Sequence, residues 1–192
     1  MVDIPARRFS RSEYHRLADI GLLRPDERVE LLDGQIYNMA PMGPLHGGVS
    51  NALAGYLWQL ARGRWFVWTQ SPIGLSKTFE PEPDIALLVP AEHCYMQRLP
   101  APDDVFLIIE VSDSSLEFDR EKKLPLYGMA AIPEAWIVNL RDRVVEVYRQ
   151  LAGKIYSLVE TFRTGQSIAL TAFPDVKIPV SDVFRHLANR AA

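Results

Sequence analysis

Leu45, Val49, Leu53, Tyr56, Leu57 and Leu60 recur at three- and four-residue spacing, which predicts one amphipathic helix ending near Gly63. Upstream, Ser10-Arg11-Ser12-Glu13 has capping-box spacing and starts a shorter helix toward Leu22, which Arg24-Pro25-Asp26 ends. Residues 29–32 and 35–37 flank Asp33-Gly34, a pair that tolerates the positive φ values of a tight hairpin turn. Residues 65–70 and 73–75 are strand candidates separated by a Ser-Pro turn. Residues 84–89 and 105–111 are apolar apart from Asp84 and Glu110, the pattern of strands covered on both faces.

A polar, proline-bearing loop over residues 90–104 is placed across one sheet edge. A second capping box, Ser114-Ser115-Leu116-Glu117, opens a helix carrying Asp119, Lys122, Lys123 and Tyr127. Pro125 lacks the amide hydrogen that would bond back to residue 121, so a kink or split is expected there. Residues 134–140 and 144–148 form an antiparallel pair joined at Arg141-Asp142-Arg143, with further β segments at 155–162 and 167–170. Ser181 starts a C-terminal helix through His186. The fold class is α/β (α+β): an N-terminal helix and β-hairpin, then a central mixed β-sheet flanked by helices. Residues 10–190 are expected to form one domain after a loose stretch at 1–9.

Composition narrows the function classes. At 192 residues with 48% hydrophobic and 23% charged positions, the chain suits a single domain with a sizeable core. Its net charge of -3 supplies no global basic field, so nucleic-acid affinity has to come from local clusters or a bound cation. Cys94 is the only cysteine, which excludes an intrachain disulfide and a thiolate zinc cage and fits a reducing compartment. There is no run of 18 apolar residues, and Met1 to Ser10 lacks a signal-peptide pattern. The expected setting is the cytoplasm, with no membrane partner.

Two carboxylates stand beside the apolar runs. Asp84 precedes Ile85-Ala86-Leu87-Leu88, and Glu110 follows Val105-Phe106-Leu107-Ile108-Ile109. A charge there is costly to desolvate, and a bound divalent metal would offset that cost. Mg²⁺ (or Mn²⁺) keeps several waters, so Asp84, Glu110 and the Val111 main-chain carbonyl suffice as protein ligands. Divalent metals held by carboxylates activate water and neutralise phosphate charge, which is what phosphodiester cleavage requires. Lys123, on the helix that follows, is the candidate to orient the attacking water. The plainer readings are that Asp84 opens a turn and Glu110 projects into solvent past its strand. Asp119 and Lys123, four apart, would then be a surface ion pair contributing about 0.3 to 0.5 kcal/mol. Lys122 could exchange roles with Lys123. His46, in the first turn of the long helix, could contact phosphate, assist a metal or cap the preceding loop. Glu30 is either a third carboxylate beside Asp84 or the partner of an arginine. Tyr127 and Trp136 read as packing residues, and Arg7-Arg8-Arg11, Arg62-Arg64 and Arg141-Arg143 as solvated surface.

Taken together, VELLDGQI, PMGPLH, PEPDIALLV, LIIEVSDSS and FDREKKLPLYGMAAIPEAWIVN resemble the Uma-two family of restriction-endonuclease-like proteins, formerly a domain of unknown function. The resemblance spans nearly the whole chain. It is most specific at Glu110-Val111-Ser112, Ser115, Asp119, Lys123, Tyr127, Ile132-Pro133-Glu134 and Trp136-Ile137-Val138. It implies a PD-(D/E)xK nuclease fold, with Asp84 and Glu110 as acidic metal ligands. The superfamily carries lysine two positions after the acidic residue, where this chain has Ser112. The resemblance implies a replacement lysine drawn from the following helix, and the matching position is Lys123. The expected activity is a metal-dependent endonuclease acting on DNA, with Glu30, His46 and Asp119 in support and a homodimer for double-strand cleavage. The competing expectation is a non-catalytic DNA-binding or protein-interaction member of the same fold.

Overall fold

The capping box predicted at Ser10 forms. In a computed structural model, which describes residues 6–187, the Ser10 hydroxyl accepts from the Glu13 amide, and the Glu13 carboxylate accepts from the Ser10 amide. These bonds satisfy two of the donors that open α1 (Arg11–Asp19). The loose stretch expected at residues 1–9 falls mostly on 1–5, outside the described residues. Within 6–9, Arg8 pairs with Asp33 and the Phe9 amide donates to the Gly34 carbonyl, tying the segment to the hairpin. The hairpin itself is β1 (Val29–Leu32) and β2 (Gln35–Asn38), with Asp33 and Gly34 both at positive φ. A Cβ on Gly34 would stand 2.5 Å from that of Arg8, so the turn needs glycine for space as well as for φ.

The six-stranded sheet has the order β3 (Phe66–Thr69), β4 (Ile85–Leu88), β5 (Val105–Ser112), β6 (Glu134–Asn139), β7 (Val144–Ala152), β8 (Ile155–Phe162). Neighbours are antiparallel except β5 and β6, whose connection carries helices and returns the chain in the same direction. Ile85 lies opposite Ile109 and Ala86 opposite Ile108, so alternate residues of β4 and β5 serve different faces. One face packs Ile85, Leu87 and Ile109 under α2 (Pro44–Ala61), which contributes Val49, Leu53 and Leu57. Truncating a side chain as buried as Leu57 costs about 2–5 kcal/mol. The opposite face packs Ala86, Leu88 and Ile108 against Leu32 of the hairpin and Tyr127. Farther along the same face, Leu116 and Leu124 cover Ala135 and Ile137.

The crossover between β5 and β6 is α3 (Leu116–Phe118), a π-helical stretch Asp119–Lys123, and α4 (Leu124–Met129). The Leu124 amide bonds back five residues to the Asp119 carbonyl. Pro125 thus produces a widened turn ahead of itself, the local form of the expected kink. β9 (Ser167–Ala169) and β10 (Lys177–Pro179) form a separate pair that adds Ile168 and Ile178 to the α2 side of the core.

Three expectations are corrected. Residues 73–75 form no strand: Ile73 and Leu75 are buried, but their amides bond to Pro81 and Phe79 within a local fold-back. The box expected at Ser114 does not form, because Ser115 precedes α3 and its hydroxyl bonds to Asp119 instead. The C-terminal helix is a single turn, α5 (Val180–Val183), followed by a 3₁₀ turn at Arg185–Leu187. The expected loop over residues 90–104 holds turns and a 3₁₀ turn at Pro102–Asp104, and side chains anchor it. Tyr95 is buried against Phe66 and Trp68, its hydroxyl donates to the Val89 carbonyl, and Arg98 pairs with Asp104.

Candidate functional site

Asp84 stands immediately before β4, and continuing the register that pairs Ile85 with Ile109 sets it opposite Glu110. Directly opposed residues of an antiparallel pair share a face, with Cβ atoms about 4.5–5.5 Å apart. Asp84 and Glu110 therefore project to the same side, the side covered by the crossover helices. β4 begins only at Ile85 while β5 runs on to Ser112, so among the described residues the Val111 main chain has no strand partner on this flank. Its amide donates to Asp84 Oδ2 at 2.8 Å. His46 Nε2, from the first turn of α2, donates to the same oxygen at 3.1 Å. Burial opposes charge on His46, but the bond to Asp84, the Asp84 and Asp119 charges and the Val111 carbonyl together raise its pKa.

Glu110 is 5% exposed, and its Oε1 accepts from the Tyr127 hydroxyl and lies 3.3 Å from Lys123 Nζ. Burial pushes its pKa up to about 8; Lys123 and Tyr127 pull it down, while Asp119 and Asp84 push it farther up. The ammonium of Lys123 also stands 3.1 Å from Glu30 Oε2. Burial disfavours its charge, and the carboxylates of Glu110, Glu30 and Asp119 outweigh that cost, so its pKa is raised and it remains an ammonium. Glu30 additionally accepts from the Glu82 amide at 3.3 Å.

The widened turn accounts for the position of Lys123. A regular helix would place residues 119 and 123 one above the other. Here they diverge: Asp119 Oδ2 accepts from Ser112 and Ser115 at 2.7 Å each, while Lys123 turns to Glu30 and Glu110. The surface ion pair weighed for Asp119 and Lys123 is therefore absent, and both residues are buried. Lys122 is exposed and stays outside the group. Among the described residues Glu30 pairs with no arginine, and its strand belongs to the hairpin and not to the main sheet; its charged partner is Lys123.

A cleft of about 400 Å³ opens over this group, and its lining includes Glu30, His46, Glu82, Asp84, Glu110 and Lys123. Among the described residues, Asp84 Oδ1 and Glu110 Oε2 meet no hydrogen-bond donor, while their other oxygens are fully used. No three His, Cys, Asp or Glu side chains among the described residues converge as a metal-ligating cluster. A hard cation does not need three, because two carboxylate oxygens and a main-chain carbonyl, completed by water, form an oxygen-only set. The residues present fit such an ion.

The candidate residues Asp84, Glu110, Lys123, Glu30, His46 and Asp119 thus line one cleft, and Val111 joins them through the hydrogen bond its amide donates to Asp84. Sequence reasoning gave no site role to four residues. Tyr127, taken as packing, donates to Glu110; the available signal was its position one helical turn after Lys123. Ser112 and Ser115 restrain Asp119; both stand among the positions where the family resemblance is most specific. Glu82 lines the cleft with its pKa raised by burial, 3.6 Å from Arg28.

Comparison with known proteins bears on the fold and the family. No curated protein matches the chain. The crystal structure of "a putative nuclease belonging to DUF820 from Anabaena variabilis ATCC 29413" is similar in fold, with a TM-score of 0.70 at 14% identity, covering 93% of this chain and 99% of that one. The profile of the Uma2 family, described as "Putative restriction endonuclease", matches residues 11–181. Because that span takes in both strands of the cleft, the crossover and most of the chain, this protein belongs to the Uma2 family.

Proposed function

We propose that this protein is a divalent-metal-dependent endonuclease that hydrolyses DNA phosphodiester bonds at the cleft. The reading rests on one juxtaposition: Asp84 and Glu110 oppose each other on a single face, with the buried ammonium of Lys123 beside Glu110. Asp84, Glu110 and the Val111 carbonyl would hold Mg²⁺ or Mn²⁺, which supplies Lewis-acid activation and neutralises phosphate charge when bound. His46 and the Val111 amide fix Asp84 Oδ2 and leave Oδ1 toward the cleft. Lys123, held by Glu30, donates to the attacking water and orients it toward phosphorus. Water oxygen bonds to phosphorus and gives up a proton to solvent as the bond to the sugar oxygen breaks; the departing oxygen takes up a proton from solvent, and the ammonium stabilises the negative charge that develops.

DNA is taken as the substrate, and the cytoplasm as the setting; no helix among the described residues is long and apolar enough to cross a membrane. One site severs one strand, so double-strand cleavage takes a homodimer. The test is nicking of supercoiled plasmid with Mn²⁺ or Mg²⁺. Conversion by the native protein, blocked by EDTA and lost in Asp84→Asn and Glu110→Gln, supports the reading. Equal conversion by native protein and either variant removes it.

A further inference from the structure

The two oxygens of Glu110 are not equivalent. Oε1 accepts from the Tyr127 hydroxyl and faces the Lys123 ammonium at 3.3 Å, whereas no donor among the described residues meets Oε2. Tyr127 cannot readily swing away from this contact. It is 1% exposed, its ring packs against Phe79 with centroids 5.6 Å apart, and its carbonyl accepts from the Ile132 amide at 3.0 Å. Lys123 is equally confined between Glu30 and Glu110.

Divalent cations differ in what they ask of a carboxylate. Mg²⁺ demands a near-octahedral shell and takes few protein oxygens, while Ca²⁺ takes six to eight ligands and readily uses both oxygens of one carboxylate. A carboxylate with one oxygen already engaged by a hydroxyl and an ammonium has a single oxygen to give. We infer that Tyr127 is a positioning and selectivity residue: by holding Oε1 of Glu110 together with Lys123, it limits that carboxylate to one oxygen and disfavours Ca²⁺ relative to Mg²⁺. This inference rests on the cation reading of Asp84 and Glu110.

The experiment needs no turnover. The native protein and Tyr127→Phe are loaded with Mn²⁺, and its release is followed by the resonance of free aqueous Mn²⁺ as Mg²⁺ or Ca²⁺ is added. The native protein should release half its Mn²⁺ at a lower concentration of Mg²⁺ than of Ca²⁺. Tyr127→Phe keeps the ring contact with Phe79 and loses only the hydroxyl. It should shift the ratio of those concentrations toward Ca²⁺ by about tenfold, the equivalent of one hydrogen bond to a charged group. An unchanged ratio overturns the inference and leaves the cation reading standing. A native protein that prefers Ca²⁺ overturns it too, and this arm decides the matter even if the variant does not fold. Native protein that binds no Mn²⁺ at all brings down the cation reading and this inference with it.

Discussion

Lys123 Nζ lies 3.3 Å from Glu110 Oε1, although Glu110 belongs to β5 and Lys123 ends the π-helical stretch that follows α3 in the crossover. Both side chains are more than nine-tenths buried, so neither charge has water to fall back on. Removing one partner of a buried pair costs about 3–5 kcal/mol, because the other is left uncompensated. Lys123→Ala leaves Glu30 and Glu110 facing each other without a cation. In metal-free buffer its thermal midpoint should drop markedly, and Mn²⁺ should restore part of the loss. A drop that Mn²⁺ does not reduce would mean the carboxylates hold no ion.

Glu110 carries a pH signature. Its pKa in the folded protein, about 8, lies above the ordinary 4.5 of the unfolded chain, so the folded state retains a proton that the unfolded state has released. Stability in metal-free buffer should therefore be greatest near the acidic end of that window and decline as pH rises from about 4.5 to about 8, by at most about 1.4 kcal/mol per pH unit from this group. Glu82, also raised by burial, acts in the same direction. Denaturant melts across the window should show the slope, and Glu110→Gln should flatten it. Mn²⁺ affinity should run oppositely, strengthening as the proton leaves.

Asp84→Asn keeps an oxygen to accept from Val111, and Glu110→Gln keeps one for Tyr127. Each should therefore leave the midpoint in EDTA unchanged or raised, since like charges no longer repel and Lys123 keeps Glu30 as its charged partner. Plasmid nicking should fall by a hundredfold or more, roughly 3 kcal/mol of barrier. A variant that loses its fold instead would mark the carboxylate as structural.

Asp119 accepts from Ser112 and Ser115, both at 2.7 Å, and so joins the end of β5 to the start of the crossover. Asp119→Ala strands those hydroxyls, and stability should fall by about 1–3 kcal/mol in denaturant melts. Ser112→Ala and Ser115→Ala should each cost less, because the carboxylate retains the other donor. If all three variants melt like the native protein, this tie is not structural.

Pro125 withholds the amide that a regular helix would use. Pro125→Ala makes that bond available and favours a tighter turn over residues 119–123. Melting should change little, while nicking falls because Lys123 is drawn away from Glu30 and Glu110. Unchanged activity would show that the widened turn does not depend on the proline.

The parts written in short-range pattern were legible in the chain. The capping box at Ser10, the Asp33-Gly34 turn, the period of the long helix and the two apolar runs depend on residues close in sequence, and each forms where its pattern stands. The acids at the ends of those runs were visible for the same reason: charge beside a buried strand is rare. The residues that fix them were not legible. Tyr127 has the spacing of a core residue until the crossover settles on the sheet, and only then does its hydroxyl meet Glu110. Glu30 found a lysine 93 positions away, a partner that no local pattern names. Residues 73–75 alternate like a strand, yet the chain folds back on Phe79 and Pro81 before a neighbour can pair. Sequence determined the elements because their hydrogen bonds are local; tertiary structure decided the partners of Glu30, Glu110 and Lys123, because buried charges are matched only when distant elements close around them.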